Sequence, residues 1–224
     1  MIKYTLIRSK RKTVAIYIRG GGVEVRAPLN LPKSYIDDFV LSKEKWLAKQ
    51  LQAERERINR RVEFTLDYGA LLTCRGKAYI IDKSQSKHIG VSDNSFYIPP
   101  NLTSEEIKAA CVKIYKIIAK SDLAEKTFKF ANQMSLKLNA VKINSAKTRW
   151  GSCSSKKNIN FSWFLIMAED DVIDYVVVHE LAHLIHMNHS KRFWAVVESV
   201  LPDYRQRRKK LKEFQQKLNT ENWD

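Results

Sequence analysis

A chain of 224 residues, 44% apolar and carrying five tryptophans, has enough hydrophobic material for one substantial domain or a domain with a small appendage, and its seven glycines and five prolines argue against long disordered stretches. No run approaches the ~18 continuous apolar residues of a membrane span, and three widely spaced cysteines, Cys74, Cys111 and Cys153, suit a reducing compartment rather than a disulfide framework. The net charge of +16 favours anionic partners (nucleic acid, nucleotides or acidic surfaces), or else describes a solvated lysine-rich surface.

The first residues, MIKYTLIRSKRK, contain no apolar core and no small-residue cleavage site, so no export signal is read and a cytoplasmic protein is expected. Alternating apolar and polar residues over 2–8 and 12–19, followed by three glycines and VEVRAP, predict a small antiparallel β-meander. Residues 28–32 close it. Ser34 then opens a long helix to Asn59, with Ile36, Phe39, Val40, Trp46, Leu47 and Leu51 at helical spacing. This meander and helix, residues 1–62, are set apart from residues 63–224, as a domain or as a subdivision of one.

Short strands return over 64–100, punctuated by turn pairs such as Asp93-Asn94 and Pro99-Pro100. Thr103 and Glu106 form a capping box that opens a helix to about Asn139, continuous or broken near Ser121-Asp122. Residues 141–143 read as a short strand, 148–154 as a turn, and NINFSWFLIMA as an apolar strand. These make the floor and edge of a cleft, where an exposed edge strand could pair with an extended peptide. Arg149 in the turn could hold a substrate carboxylate or phosphate, or equally pair with a helix acid. Trp150 and Trp163 read as core.

Four of the five histidines fall within residues 174–194, DYVVVHELAHLIHMNHSKRFW. On a helix His179 and His183 lie about 40° apart and one turn apart, so both imidazoles can reach one metal ion. Glu180 points beside that ion and is placed to take a proton from a water there, which is the H-E-x-x-H arrangement of zinc hydrolases. Apolar residues on all other sides predict a buried helix, and a buried carboxylate and imidazoles need a partner such as a zinc ion. A catalytic zinc takes three protein ligands and keeps a place for water. His186 on a continuous helix would lie about 10 Å along the axis from His179, too far for one ion. Asn188 as a left-handed terminator, with His189-Ser190 turning into a new helix, would bring His189 back instead. His186 is then left as a neighbour of the ligands or a substrate-facing group. The following helix would pack Phe193, Trp194 and Val197 on the metal helix. Tyr204 opens a last, basic helix as a hydrogen-bond donor near the ion or as a packing residue.

The stretch from TRWGSCSS through HELAHLIHMNHSKRFW resembles the YgjP-like family of zinc metallopeptidases, with further matches in RSKRKTVAIYIRGGGVEVRAP and LPDYRQRRKKL. That family is similar to the SprT-like and WLM zincins, some of which act on DNA-linked proteins. The resemblance implies an α+β, zincin-like fold: an antiparallel or mixed sheet with an active-site helix beneath it, after the N-terminal meander and helix. It also implies His179, His183 and His189 as Zn²⁺ ligands and Glu180 as catalytic acid/base. The spacing to the third histidine resembles metzincins, although His186 stands where those have glycine and no methionine turn follows.

The expected function is therefore a zinc metallohydrolase, first of all a metallopeptidase acting on peptide or protein. Some relatives carry a nucleotide pyrophosphatase assignment, and the positive charge with Arg149 would suit a nucleoside triphosphate. Phosphate chemistry normally uses Mg²⁺ or Mn²⁺ held by carboxylates, however, and this motif offers imidazoles. A nucleic-acid-associated protein with a structural zinc is the non-enzymatic alternative, contacting nucleic acid through its basic surface. No membrane partner is expected.

Overall fold

Val23, Val25 and Ala27 alternate with outward residues along β3 (Gly22–Pro28), and this period of two organises the N-terminal part of the chain. The computed structural model describes residues 2–85 and 88–223, so the two outer ends of the expected segments 1–62 and 63–224, residues 1 and 224, lie outside the described residues. Contacts group the chain into two compact units, Met1–Phe64 with Asn219–Asn222 and Thr65–Leu218 with Trp223–Asp224. The architecture is α+β, with small mixed sheets. Among the described residues no helix is long and apolar enough to cross a membrane.

In the first unit, β2 (Ala15–Arg19) and β3 form a hairpin whose loop residues, Gly20 and Gly21, have φ of 56° and 76°, the positive values a tight primed turn requires. β1 (Thr5–Ser9) does not precede β2 in a meander. It pairs parallel to the far side of β3, giving the order β1-β3-β2. The expected single helix is two, α1 (Lys33–Ser42) and α2 (Glu44–Glu63), separated at Lys43. The break lets Ile36 and Val40 of α1 and Leu47 of α2 join Val23, Val25 and Ala27 in one core.

The second unit holds the sheet β4 (Leu71–Cys74), β5 (Lys77–Lys83), β6 (Gly90–Ser92) and β7 (Ser95–Ile98), in the order β4-β5-β7-β6. α3 (Ser104–Gln133) begins with the capping box: the Glu106 N–H donates to Thr103 Oγ1 (3.4 Å) and the Thr103 N–H to Glu106 Oε2 (2.8 Å). It runs unbroken through Ser121-Asp122 and stops at Gln133, short of Asn139; Ser135 turns the chain with φ 54°. The next sheet has the order β8-β10-β9, from β8 (Ala140–Asn144), β9 (Gly151–Cys153) and β10 (Asn158–Ser162). The expected apolar strand ends at Ser162, and Trp163–Met167 form a 3₁₀ turn in which all five side chains are buried. A strand shows two faces and would bury five consecutive side chains only between two layers; the turn buries them within one.

The turn delivers the chain into α4 (Asp170–Ala182). Lys126 of α3 pairs with Asp174 and Asp170 (2.7 and 3.3 Å), and Lys210 of α6 (Tyr204–Leu218) pairs with Glu169 and Asp171 (2.7 and 2.8 Å). These ion pairs set the entry of α4, and α5 (Lys191–Val200) closes over its end.

Candidate metal centre

α4 lies against α3, α5, α6 and β9, which leaves it almost no solvent-facing side. Val172, Ile173, Tyr175, Val176, Val177, Val178, Leu181 and Ala182 are buried, and Glu180 among them is only 6% exposed. The helix ends at Ala182, and His183 is its C-cap, still right-handed at φ −67° and ψ −18°. His179 and His183 therefore keep helical spacing.

Asn188 is not the terminator expected, since it is absent from the residues with positive φ. The chain leaves the helix directly after His183, through short bonds from the Leu184 N–H to the Leu181 carbonyl (2.9 Å) and from the Ile185 N–H to the Ala182 carbonyl (3.1 Å). Such tightening satisfies end carbonyls without a left-handed residue. Ser190 then caps α5, its Oγ accepting from the Phe193 N–H at 3.4 Å.

This reversal returns His189 to α4, with its Nε2 3.0 Å from His179 Nε2. One ligand atom from each of His179, His183 and His189 lies within 4.8 Å of the other two. Phe193, fully buried, touches all three imidazoles at ring-centroid distances of 4.9, 4.6 and 4.8 Å. Trp194 stacks on His189 at 5.7 Å and 24°. The His186 ring stands outside this cluster. Its contribution is its carbonyl, 3.1 Å from His183 Nδ1. Donation from Nδ1–H to that carbonyl fixes the tautomer and leaves Nε2 of His183 as a free lone pair.

The donor set fits a zinc ion. Burial pushes His179 down to about 3, reinforced by its histidine neighbours and Arg208, and burial also lowers His183. Both shifts favour the neutral imidazole, the form that can bind a metal. Nitrogens at 2.0–2.1 Å from a tetrahedral ion stand about 3.3 Å apart, near the His179–His189 separation, and a set of imidazoles suits zinc rather than Mg²⁺ or Ca²⁺. His179 Nδ1 is buried with no hydrogen-bond partner among the described residues.

Glu180 faces β9. A β-carbon placed on Gly151 would lie 2.6 Å from Glu180 Cγ and 2.7 Å from Oε1, so the carboxyl occupies the space that glycine leaves. Burial pushes the carboxyl up to about 7, opposed by the charge of Arg149. Residues 148–154, expected as a turn, contain the strand β9, and this strand is what sets Gly151 against Glu180.

Arg149 is exposed and has no ion pair within 4 Å among the described residues, although its charge reaches Glu180. Trp150 is half-buried rather than core: its ring lies 5.2 Å from Phe214, and it lines a cavity of about 180 Å³ with Tyr175, Val176 and Leu211, beside His179 and Glu180. Trp163 is core at 2% exposure. Tyr204 is buried and stacks on Trp194 at 5.3 Å and 17°, so it meets the histidines through that indole.

A family model described as YgjP-like, metallopeptidase domain, matches residues 12–214. Comparison with curated proteins gives no match. Among solved structures, the crystal structure of the metallopeptidase zymogen of Pyrococcus abyssi abylysin is similar over 45% of this chain and 97% of its own, at 23% identity and a TM-score of 0.38.

Proposed function

This chain belongs to the YgjP-like metallopeptidase family, and from that premise we propose that it hydrolyses peptide bonds at a zinc ion held by His179, His183 and His189, with Glu180 as general base. The observation that supports this best is the convergence of three imidazoles within 4.8 Å of one another, next to a buried carboxylate that immediately follows the first of them in sequence. Zinc, when bound, supplies a Lewis acid that polarises the peptide carbonyl and makes water acidic near neutral pH.

The protein's own groups do the rest. Glu180 takes the proton of the attacking water and passes it to the leaving amine nitrogen. Gly151 keeps that carboxyl in place by leaving it room. Phe193 and the His186 carbonyl fix the imidazoles. β9 is an edge strand, the position at which an extended substrate adds by backbone pairing.

Purified protein is expected to carry close to one zinc per chain and to cleave a panel of denatured proteins. Glu180→Gln should retain the metal and lose about 10²–10⁴-fold in turnover. Turnover equal to the parent in Glu180→Gln, or pyrophosphate release from nucleoside triphosphates with no peptide cleavage, would refute the reading.

A further inference from the structure

We infer that Arg208 and the cavity beside Glu180 select the substrate together: the cavity takes one apolar side chain next to the scissile bond, and the Arg208 guanidinium takes a carboxylate close to it. This deepens the peptidase reading and rests on it.

The cavity, about 180 Å³, is walled by Trp150, Tyr175, Val176 and Leu211 and opens on His179 and Glu180. Whole small-molecule ligands occupy roughly 300–1,000 Å³. The space at hand suits a side chain and not a nucleotide, and its walls are aromatic and aliphatic apart from the reacting groups.

Arg208 does not itself line this cavity, but helix geometry sets it beside Leu211, which does. Tyr204, Arg208 and Leu211 follow at i, i+4 and i+7 and share one face of α6. Leu211 lines the cavity, and Tyr204 stacks on Trp194. Between them, the Arg208 guanidinium carbon lies 5.2 Å from the Trp194 ring centroid. That indole is itself 5.8 Å from the His179 ring and 5.7 Å from the His189 ring. A guanidinium held beside an aromatic ring in this way still has its N–H donors to offer, and a planar carboxylate can take two of them in parallel.

The neighbours of Arg208 on α6 are already engaged: Arg207 pairs with Asp203 at 2.9 Å, and Lys210 with Glu169 and Asp171. Arg208 has no acidic partner within 4 Å among the described residues. A carboxylate delivered by the substrate completes it. That carboxylate is either the C-terminus of a short peptide or an aspartate or glutamate side chain.

The test uses the zinc-loaded full chain and leucine-containing peptides in two matched pairs, one with a free or amidated C-terminus, the other with Glu or Gln beside the leucine. In at least one pair the carboxylate form should show a KM about tenfold lower, and the pair that responds identifies the source. In Arg208→Gln the KM ratio should fall to near one at unchanged zinc content, with Arg208→Lys recovering part of it. Leu211→Trp, which fills the cavity, should turn preference from leucine to alanine by about tenfold. A readout free of turnover is the quenching of tryptophan fluorescence when the same pairs are titrated into zinc-loaded Glu180→Gln, where Kd should show the same ratio. Equal KM within both pairs, with cleavage proceeding, would overturn this inference and leave the peptidase reading intact. No cleavage of any peptide by the zinc-loaded parent would overturn that reading and this one with it.

Discussion

Glu180 and Gly151 share one volume: a β-carbon on the glycine would stand 2.6 Å from Cγ of the glutamate, well inside any normal contact. A strand backbone, not a side chain, forms the wall behind the carboxyl. Gly151→Ala must therefore displace either the β9 backbone or the carboxyl. Overpacking of this kind costs about 1–3 kcal/mol of stability. Turnover should fall at least tenfold while zinc content stays near that of the parent, because the atoms a β-carbon at 151 would meet first all belong to Glu180. Metal analysis beside a peptidase assay checks this; an active Gly151→Ala protein would show that Glu180 does not need its observed position.

His186 and His189 separate a backbone contribution from a side-chain one. The His186 carbonyl, which any residue supplies, orients His183, whereas His189 offers its ring nitrogen to the cluster. His186→Ala should keep zinc affinity within a few-fold of the parent. His189→Ala should lose more than the ~10–100-fold that follows removal of a group outside the ligands. Competition with a chromogenic chelator measures both, and equal losses would contradict the assignment.

Phe193 touches all three rings and is fully buried. Replacing a buried phenylalanine by alanine costs about 3–5 kcal/mol. In Phe193→Ala the loss should appear in chemical unfolding of the metal-free protein. The zinc-loaded form should also bind metal more weakly, because the imidazoles lose the surface that fixes their rotamers. Phe193→Leu should recover most of the stability and less of the affinity.

The pair Asp171–Lys210 predicts an acid response. Burial is the largest single effect on the Asp171 carboxyl and raises it, but the bond and charge of Lys210, the Val172 N–H and the charge of Arg207 together outweigh it and hold the group below the usual carboxylate range. A carboxylate lowered in the folded state contributes stability above its unfolded pKa, and that stability is lost as pH falls through the folded value. Lys210→Met should accordingly melt on the order of 2 °C below the parent at neutral pH. The gap should close as pH falls below about 4. Melting curves at pH 7, 5 and 3 test the sign, and a gap that widens in acid would contradict it.

Signals that act over a few residues were legible in the chain. Thr103 and Glu106 announced the start of α3, glycines 20 and 21 announced the hairpin, and Ser190 announced α5. Choices made by distant partners were not. Whether residues 5–9 pair with β2 or with β3 depends on which edge of β3 is free, and nothing in the strand's own residues says so. The division of α1 from α2 at Lys43 has no glycine or proline to mark it; it follows from two helices reaching the same core.

The candidate site divides along the same line. Helical periodicity sets His179 and His183 on one face with Glu180 beside them, because a spacing of four residues is a property of any α-helix. Where His189 goes was decided by the reversal after His183, held by short backbone bonds and by Phe193 packing under the rings. The space for the Glu180 carboxyl was decided by β9, a strand joined to α4 only through tertiary contact. Covalent spacing fixes neighbours within one helix turn, whereas the approach of separate elements is fixed only by the packing that buries them together.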